Sequence, residues 1–256
     1  MRKIIFLITI LFFLNTSKLL SEQVQIEVIE FNEEKFYLWA EIYKSKKIPA
    51  PSVIILHGCL GTGRQTSDWA KFINDWGFNV IILDSFSGRT NKDLCREWFH
   101  VSHVRRAIDP HFVSAWVASQ EWSTKKIGAI GFSHGASTLI NAVLDQFFKI
   151  VPKTNLTSAV AFYPSCFPEH TNIAKPYIPF QIHHGENDDW NFIAPCKILA
   201  EQWNIKKDFF SYKDSYHGFD VANLNSSIIG HVVKTNNDAR ELSMKRTKEF
   251  FEKTLK

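Results

Sequence analysis

The chain lacks most of the signals that would place it outside the class of compact α/β enzymes. Past residue 21 it has no apolar run of membrane length, and nowhere does it show an internal repeat or a low-complexity linker. It has no C-x-x-C and no Cys/His pairing at zinc spacing, so a structural metal site is not indicated. It also lacks the Walker lysine and the G-x-G-x-x-G spacing, which removes the usual nucleotide-binding loops. A strong charge of one sign is missing too. The formal excess is only +4, and Arg2, Lys3 and Lys18 of the first 21 residues account for three of those charges, so a nucleic-acid partner is not expected.

Those first residues have the layout of a signal peptide. A short basic segment (Arg2, Lys3) precedes Ile4 to Leu14, apolar except for Thr9, and the polar Asn15-Thr16-Ser17-Lys18 follows. The run is too short to span a bilayer comfortably as a helix and suits the apolar part of an export signal. The expectation is a signal peptide over residues 1–21, with an uncleaved anchor as the alternative because no cleavage site is well formed, and one domain over 22–256 in a periplasmic or secreted protein. Four cysteines, Cys59, Cys95, Cys166 and Cys196, fit an oxidising compartment, although four allow three pairings and free buried thiols are the plain alternative.

In the body of the chain, 45% hydrophobic residues over 256 positions suffice for one full core. Val24–Phe31 alternates apolar and polar residues and Phe36–Tyr43 is a second strand-like run, which together predict an N-terminal antiparallel hairpin. Short continuous apolar runs follow at Val53–Leu56, Val80–Leu83, Ile127–Phe132, Ala159–Tyr163 and Ile178–Ile182, each leading to a helical stretch. Strands apolar on both faces belong in a mostly parallel central sheet covered by helices on both sides. Trp69, Phe72, Ile73 and Trp76 fall on one helical face before Gly77. Asp109-Pro110 opens a second helix, Ala136–Phe148 suits a third, and about Asn237 to Leu255 reads as a closing helix.

The strongest chemical signal is Gly131-Phe132-Ser133-His134-Gly135, a G-x-S-x-G pentapeptide between an apolar strand and a helix. A tight strand-to-helix turn with glycine on either side exposes a serine hydroxyl at the head of a helix. Such a serine needs a base to take its proton and an acid to orient the base, and in this arrangement both follow in the order Ser, Asp or Glu, His. Asp188 in Gly185-Glu186-Asn187-Asp188-Asp189 and His217 in Tyr216-His217-Gly218-Phe219 fill those places. Asp189 is the second choice of acid, a capping role the alternative for either aspartate, and Glu186 reads as a solvated loop residue. His183 and His184 either line the site or satisfy buried bonds. The backbone N–H groups of His134 and Cys59, the latter in the glycine-rich 57–63 loop, are the expected donors to an oxyanion. The chemistry requires no cofactor.

Taken together, H-G-C-L-G (57–61), D-S-F-S-G-R (84–89), G-F-S-H-G (131–135), Y-P-S-C (163–166), G-E-N-D-D-W (185–190) and Y-H-G-F (216–219) resemble the dienelactone hydrolase family. The resemblance implies an α/β-hydrolase fold, a triad at Ser133, Asp188 and His217, a small-molecule ester or lactone as substrate, and disulfides joining Cys59 to Cys95 and Cys166 to Cys196. The chain departs from the family in carrying Ser133 where dienelactone hydrolases proper have a cysteine. Arg89, closing the second block, either grips a substrate carboxylate or serves as a structural ion-pair partner. Trp190, Phe192 and Phe219 either form an apolar acyl pocket or belong to the core. An inactive hydrolase-like binding protein and a peptidase on the same fold are the rival functions.

Overall fold

In the computed structural model, which describes residues 21–151, 153–166 and 175–256, the apolar runs become one sheet. The segment read as a leader lies outside the described residues, apart from Ser21. The first strands are β1 (Ser21–Ile29), β2 (Lys35–Tyr43) and β3 (Ala50–Leu56), followed by helix α1 (Arg64–Asp75) and β4 (Asn79–Asp84). After two helices, α2 (His103–Arg106) and α3 (Asp109–Ala118), come β5 (Ser123–Phe132), α4 (His134–Ala142), α5 (Asp145–Ile150), β6 (Leu156–Phe162) and β7 (Phe180–Gly185). The chain closes with α6 (Ile193–Gln202), β8 (Phe209–Tyr212), the hairpin β9 (Asn225–Ile228) and β10 (His231–Lys234), and α7 (Asn237–Leu255).

Eight strands lie in the order β1-β2-β4-β3-β5-β6-β7-β8. The β1–β2 and β2–β4 pairs are antiparallel and the remaining pairs parallel, so the expected hairpin is attached to a parallel sheet. Strand alternation explains the two-sided apolar character. Within β3, Val53 and Ile55 pack with Trp69 and Ile73 of α1 and Phe251 and Leu255 of α7, whereas Ile54 and Leu56 pack with Val113 and Val117 of α3 and Leu139 of α4. The central parallel strands thus carry apolar groups to both cores and read as unbroken runs, whereas β1 and β2 bury one face and alternate.

One sequence expectation is corrected here, and one element is new. The helix read over Ala136–Phe148 is two, because Leu144 turns extended (ψ 141°), bridges Pro176, and the Val143 carbonyl accepts from Tyr177 N at 2.7 Å. The β9–β10 hairpin was not read at all. Both disulfides are present as the family resemblance implied, Cys59 to Cys95 and Cys166 to Cys196.

Arg89 is also settled, as a structural residue. Its side chain is fully buried: Nε donates to Glu30 Oε1 at 2.8 Å, Nη1 to Asp109 Oδ2 at 2.7 Å and to the Ser85 carbonyl, and Nη2 to Asp109 Oδ1 at 2.8 Å. Burial alone would ease its proton off, but Asp109 and Glu30 more than offset that and raise its pKa. The two-pronged geometry expected for a substrate is satisfied inside the fold, tying the end of β1 to the start of α3. Arg89→Met leaves Asp109 in a fully buried site without its bidentate partner, and is expected to lower stability by about 3–5 kcal/mol. Urea unfolding measures that loss, and at a temperature where the variant stays folded KM for an ester is expected to be unchanged.

Candidate active site

The serine turn follows from close packing. β5 ends at Phe132, Ser133 takes φ 50° and ψ −111°, and α4 starts at His134. Positive φ at a non-glycine residue is costly and persists only where the surroundings force it. Here they do: a Cβ on Gly131 would stand 2.4 Å from the Gly135 carbonyl oxygen, and one on Gly135 would stand 2.2 Å from the Leu56 oxygen. Both positions must therefore be glycine for α4 to sit on the ends of β3 and β5. Ser133 N donates to the Phe162 carbonyl at 3.0 Å, which fixes the turn against β6.

Asp188 lies in the loop beyond β7 and is buried. Its Oδ1 accepts from the backbone N–H groups of Trp190 and Asn191 at 3.0 and 2.9 Å, while Oδ2 lies 2.9 Å from His217 Nδ1. One oxygen thus shapes the loop and the other meets the base, and neither aspartate caps α6, which begins at Ile193 with Phe192 at its N-cap and no side-chain cap hydrogen bond. Burial would raise the Asp188 pKa, but His217 and these hydrogen bonds outweigh it and the net shift is downward. His217 Nε2 is 2.9 Å from Ser133 Oγ, completing a continuous chain from carboxylate to hydroxyl. The loop carrying His217 is held by β10, with a bridge to Val233 and a Lys234 N–H bond to the His217 carbonyl. Asp189 points elsewhere, accepting from Val232 N at 3.1 Å and so anchoring β10. Glu186 accepts from the exposed Ser211 hydroxyl.

A cleft of about 310 Å³ opens over the serine. Cys59, Ser133, His134 and Trp190 line it as expected. The backbone N–H groups of His134 and Cys59 donate no hydrogen bond to any group among the described residues. Trp190 lies against His217, with ring centroids 4.9 Å apart, and stacks on His231. Phe219 is corrected to a core residue: it is fully buried among Phe162, Tyr163 and Tyr212 and does not reach the cleft. The chain turns at Gly218 (φ 70°), and the Phe219 ring goes into the packed layer below. Phe192 is exposed and is not a cleft wall. His183 and His184 satisfy buried bonds, to Tyr212 and Gln181 and to the Gly185 and Pro164 carbonyls respectively.

Three groups around the site were not singled out from sequence. Arg106 is fully buried behind the cleft and donates Nη1 to the His57 carbonyl at 2.8 Å and to His134 Nδ1 at 3.2 Å, linking the 57–63 loop to the head of α4. Burial lowers its pKa to about 9, which still leaves it charged at neutral pH. His57 is buried beneath the same loop, its Nδ1 at 2.7 Å from the Gly58 carbonyl and its Nε2 accepting from Ser85 N, and burial with the nearby Arg106 charge pushes its pKa down to about 3. Tyr163, whose ring packs 4.5 Å from that of His217, donates to buried Asp220, which also accepts from Gln65 and Trp69. The blocks H-G-C-L-G and Y-P-S-C contain two of these residues, but nothing in the pattern around Arg106 marks it.

The sheet order, the strand-to-helix serine turn and the hydrogen-bonded Ser-His-Asp chain together define an α/β-hydrolase fold. The model of the dienelactone hydrolase family matches residues 38–255, and the chain belongs to that family of ester-hydrolysing enzymes. Similar solved structures include a dienelactone hydrolase-like promiscuous phosphotriesterase from metagenomic libraries (18% identity, TM-score 0.68, covering 92% of this chain and 99% of that one). Others are a Pyrococcus furiosus esterase (16%, 0.65, 92% and 94%) and an Anabaena variabilis dienelactone hydrolase (15%, 0.67, 92% and 99%). At these identities the likeness bears on the fold. No curated protein matches the sequence. Among the described residues no helix is long and apolar enough to cross a membrane.

Two predictions follow from this packing. Gly135→Ala has no room for its methyl group and is expected to prevent folding or to cost more than about 4 kcal/mol, read by thermal unfolding. The buried histidines set an acid limit: His57 (pKa about 3), His111 (about 4) and His183 (well below 6.5) are held neutral by burial, so below pH 6.5 the unfolded chain binds protons that the folded chain refuses. Their contribution is fully present above about pH 6.5 and is lost as pH falls towards 4. The melting temperature is expected to drop by at least about 10 °C between pH 7 and 5.

Proposed function

We propose that the protein is an exported serine hydrolase that cleaves an ester or lactone bond through an acyl-enzyme on Ser133. The observation that carries this reading is the unbroken chain Asp188 Oδ2, His217 Nδ1, His217 Nε2, Ser133 Oγ, with both links at 2.9 Å and the serine held at the strained turn. His217 takes the hydroxyl proton as Ser133 Oγ attacks the substrate carbonyl carbon. Asp188, kept ionised, steadies the imidazolium. The N–H groups of His134 and Cys59 stabilise the oxyanion, and the head of α4 adds its positive end. Collapse of the tetrahedral adduct expels the alcohol, which leaves with the proton from His217. Water, deprotonated by the same ring, then clears the acyl group.

Export is supported by the layout of residues 1–21 and by two disulfides that suit an oxidising compartment. An inactive binding role has no observation in its favour.

Steady-state hydrolysis of a para-nitrophenyl ester tests the roles. Ser133→Ala is expected to abolish the enzymic rate and His217→Ala to come close to that. Asp188→Asn is expected to lower kcat by about ten-thousand-fold with little change in KM, because it leaves the imidazole in the wrong tautomer. Loss of less than about tenfold in any of the three would contradict the assignment.

A further inference from the structure

We propose that the cleft selects against charged acyl groups, so that the substrate is an ester of an uncharged, largely apolar acid. The proposal deepens the serine-hydrolase reading and rests on it. Binding a carboxylate in a partly dry cleft requires a cation or several free N–H donors, since the desolvated charge is otherwise uncompensated.

The described lining holds no permanent cation. Among the described residues that line the cleft there is no Lys, Arg, Asp or Glu. None of the arginines around the lining belongs to it: Arg96 pairs with Asp93 and Arg105 with Glu30, while Arg89 and Arg106 are buried, Arg106 with its Nε and Nη2 unpartnered among the described residues. Arg89 is locked onto Asp109 and Glu30, and Arg106, with no exposed surface, is turned to His57 and His134 behind the cleft wall. Residues 167–174 contain neither Lys nor Arg.

The imidazoles of the lining are those of His103, stacked on Trp98, and of His134, which burial keeps neutral, and several of the remaining polar groups are bonded within the fold. Asn141 Nδ2 donates to the Ser137 carbonyl at 3.0 Å and Asn191 Nδ2 to the Tyr163 carbonyl at 2.9 Å. Ser137 Oγ donates to the Ser133 carbonyl at 3.1 Å and accepts from Ser165 N. Ser102 Oγ accepts from Arg105 N. Against these stand Leu94, Trp98, Val104, Ile140 and Trp190, which give the acyl group an apolar wall. An uncharged chain gains from that wall, whereas an anionic one loses its water and finds no permanent cation to replace it.

The test compares para-nitrophenyl hexanoate with para-nitrophenyl hydrogen adipate, in which a carboxylate replaces the terminal methyl at equal chain length. Assays run at pH 8, where an ordinary imidazole carries no charge, after subtraction of spontaneous hydrolysis. The expected kcat/KM is at least about a hundredfold higher for the hexanoate. Val104→Lys, which places a cation at a partly exposed position of the lining, is expected to narrow that gap about tenfold by raising the adipate rate. Equal rates, or a preference for the adipate, would overturn the proposal while leaving the hydrolase reading intact. Hexanoate turnover that survives Ser133→Ala would overturn the hydrolase reading and the proposal with it.

Discussion

The site depends on one steric constraint, the contact between the first turn of α4 and the ends of β3 and β5. Without side chains at Gly131 and Gly135 the helix settles directly onto Gly131 of β5 and the Leu56 carbonyl of β3, and the intervening Ser133 takes positive φ. That conformation brings Ser133 Oγ within 2.9 Å of His217 Nε2 and leaves the His134 N–H in the first turn of a helix, which supplies it no acceptor. The energy stored in the turn is held by the surrounding apolar layers. Leu56, Leu139 and Ala136 are all buried in the same core, so the helix cannot back away without opening it.

Other elements act by aiming groups at that point. β7 delivers Asp188, whose two oxygens divide the work of shaping the loop and holding the imidazole. The β9–β10 hairpin, itself pinned by Asp189, supports the chain at His217. On the opposite side, the Cys59 to Cys95 disulfide and the Arg106 bond to the His57 carbonyl fasten the 57–63 loop beside the serine.

Much of this was legible from sequence because each requirement leaves a residue-type trace. Two-sided burial writes continuous apolar runs, so the strands from β3 to β7 were visible. The serine turn demands glycine on both sides, and the acid and base must follow in a set order, so Ser133, Asp188 and His217 could be named before any geometry. What was not legible depended on direction in space. Arg89 has the chemistry of a carboxylate clamp, and only the fold shows that its carboxylates are Asp109 and Glu30. Phe219 is near His217 in the chain but its ring enters the layer beneath. The break between α4 and α5 comes from a tertiary bridge to Pro176, which no helical periodicity records. Arg106 lies on a four-residue helix and finds its partners beyond the ends of β3 and β5, so no local pattern announces it.

The central claim is that His217 activates the hydroxyl of Ser133 in the resting protein. Reaction with a fluorophosphonate, followed by intact mass and peptide mapping, tests it most directly. The account requires one adduct per chain, on Ser133, formed far more slowly in His217→Ala although that variant remains folded. A properly folded wild-type protein that takes up no adduct, or one labelled equally fast without the histidine, would contradict it.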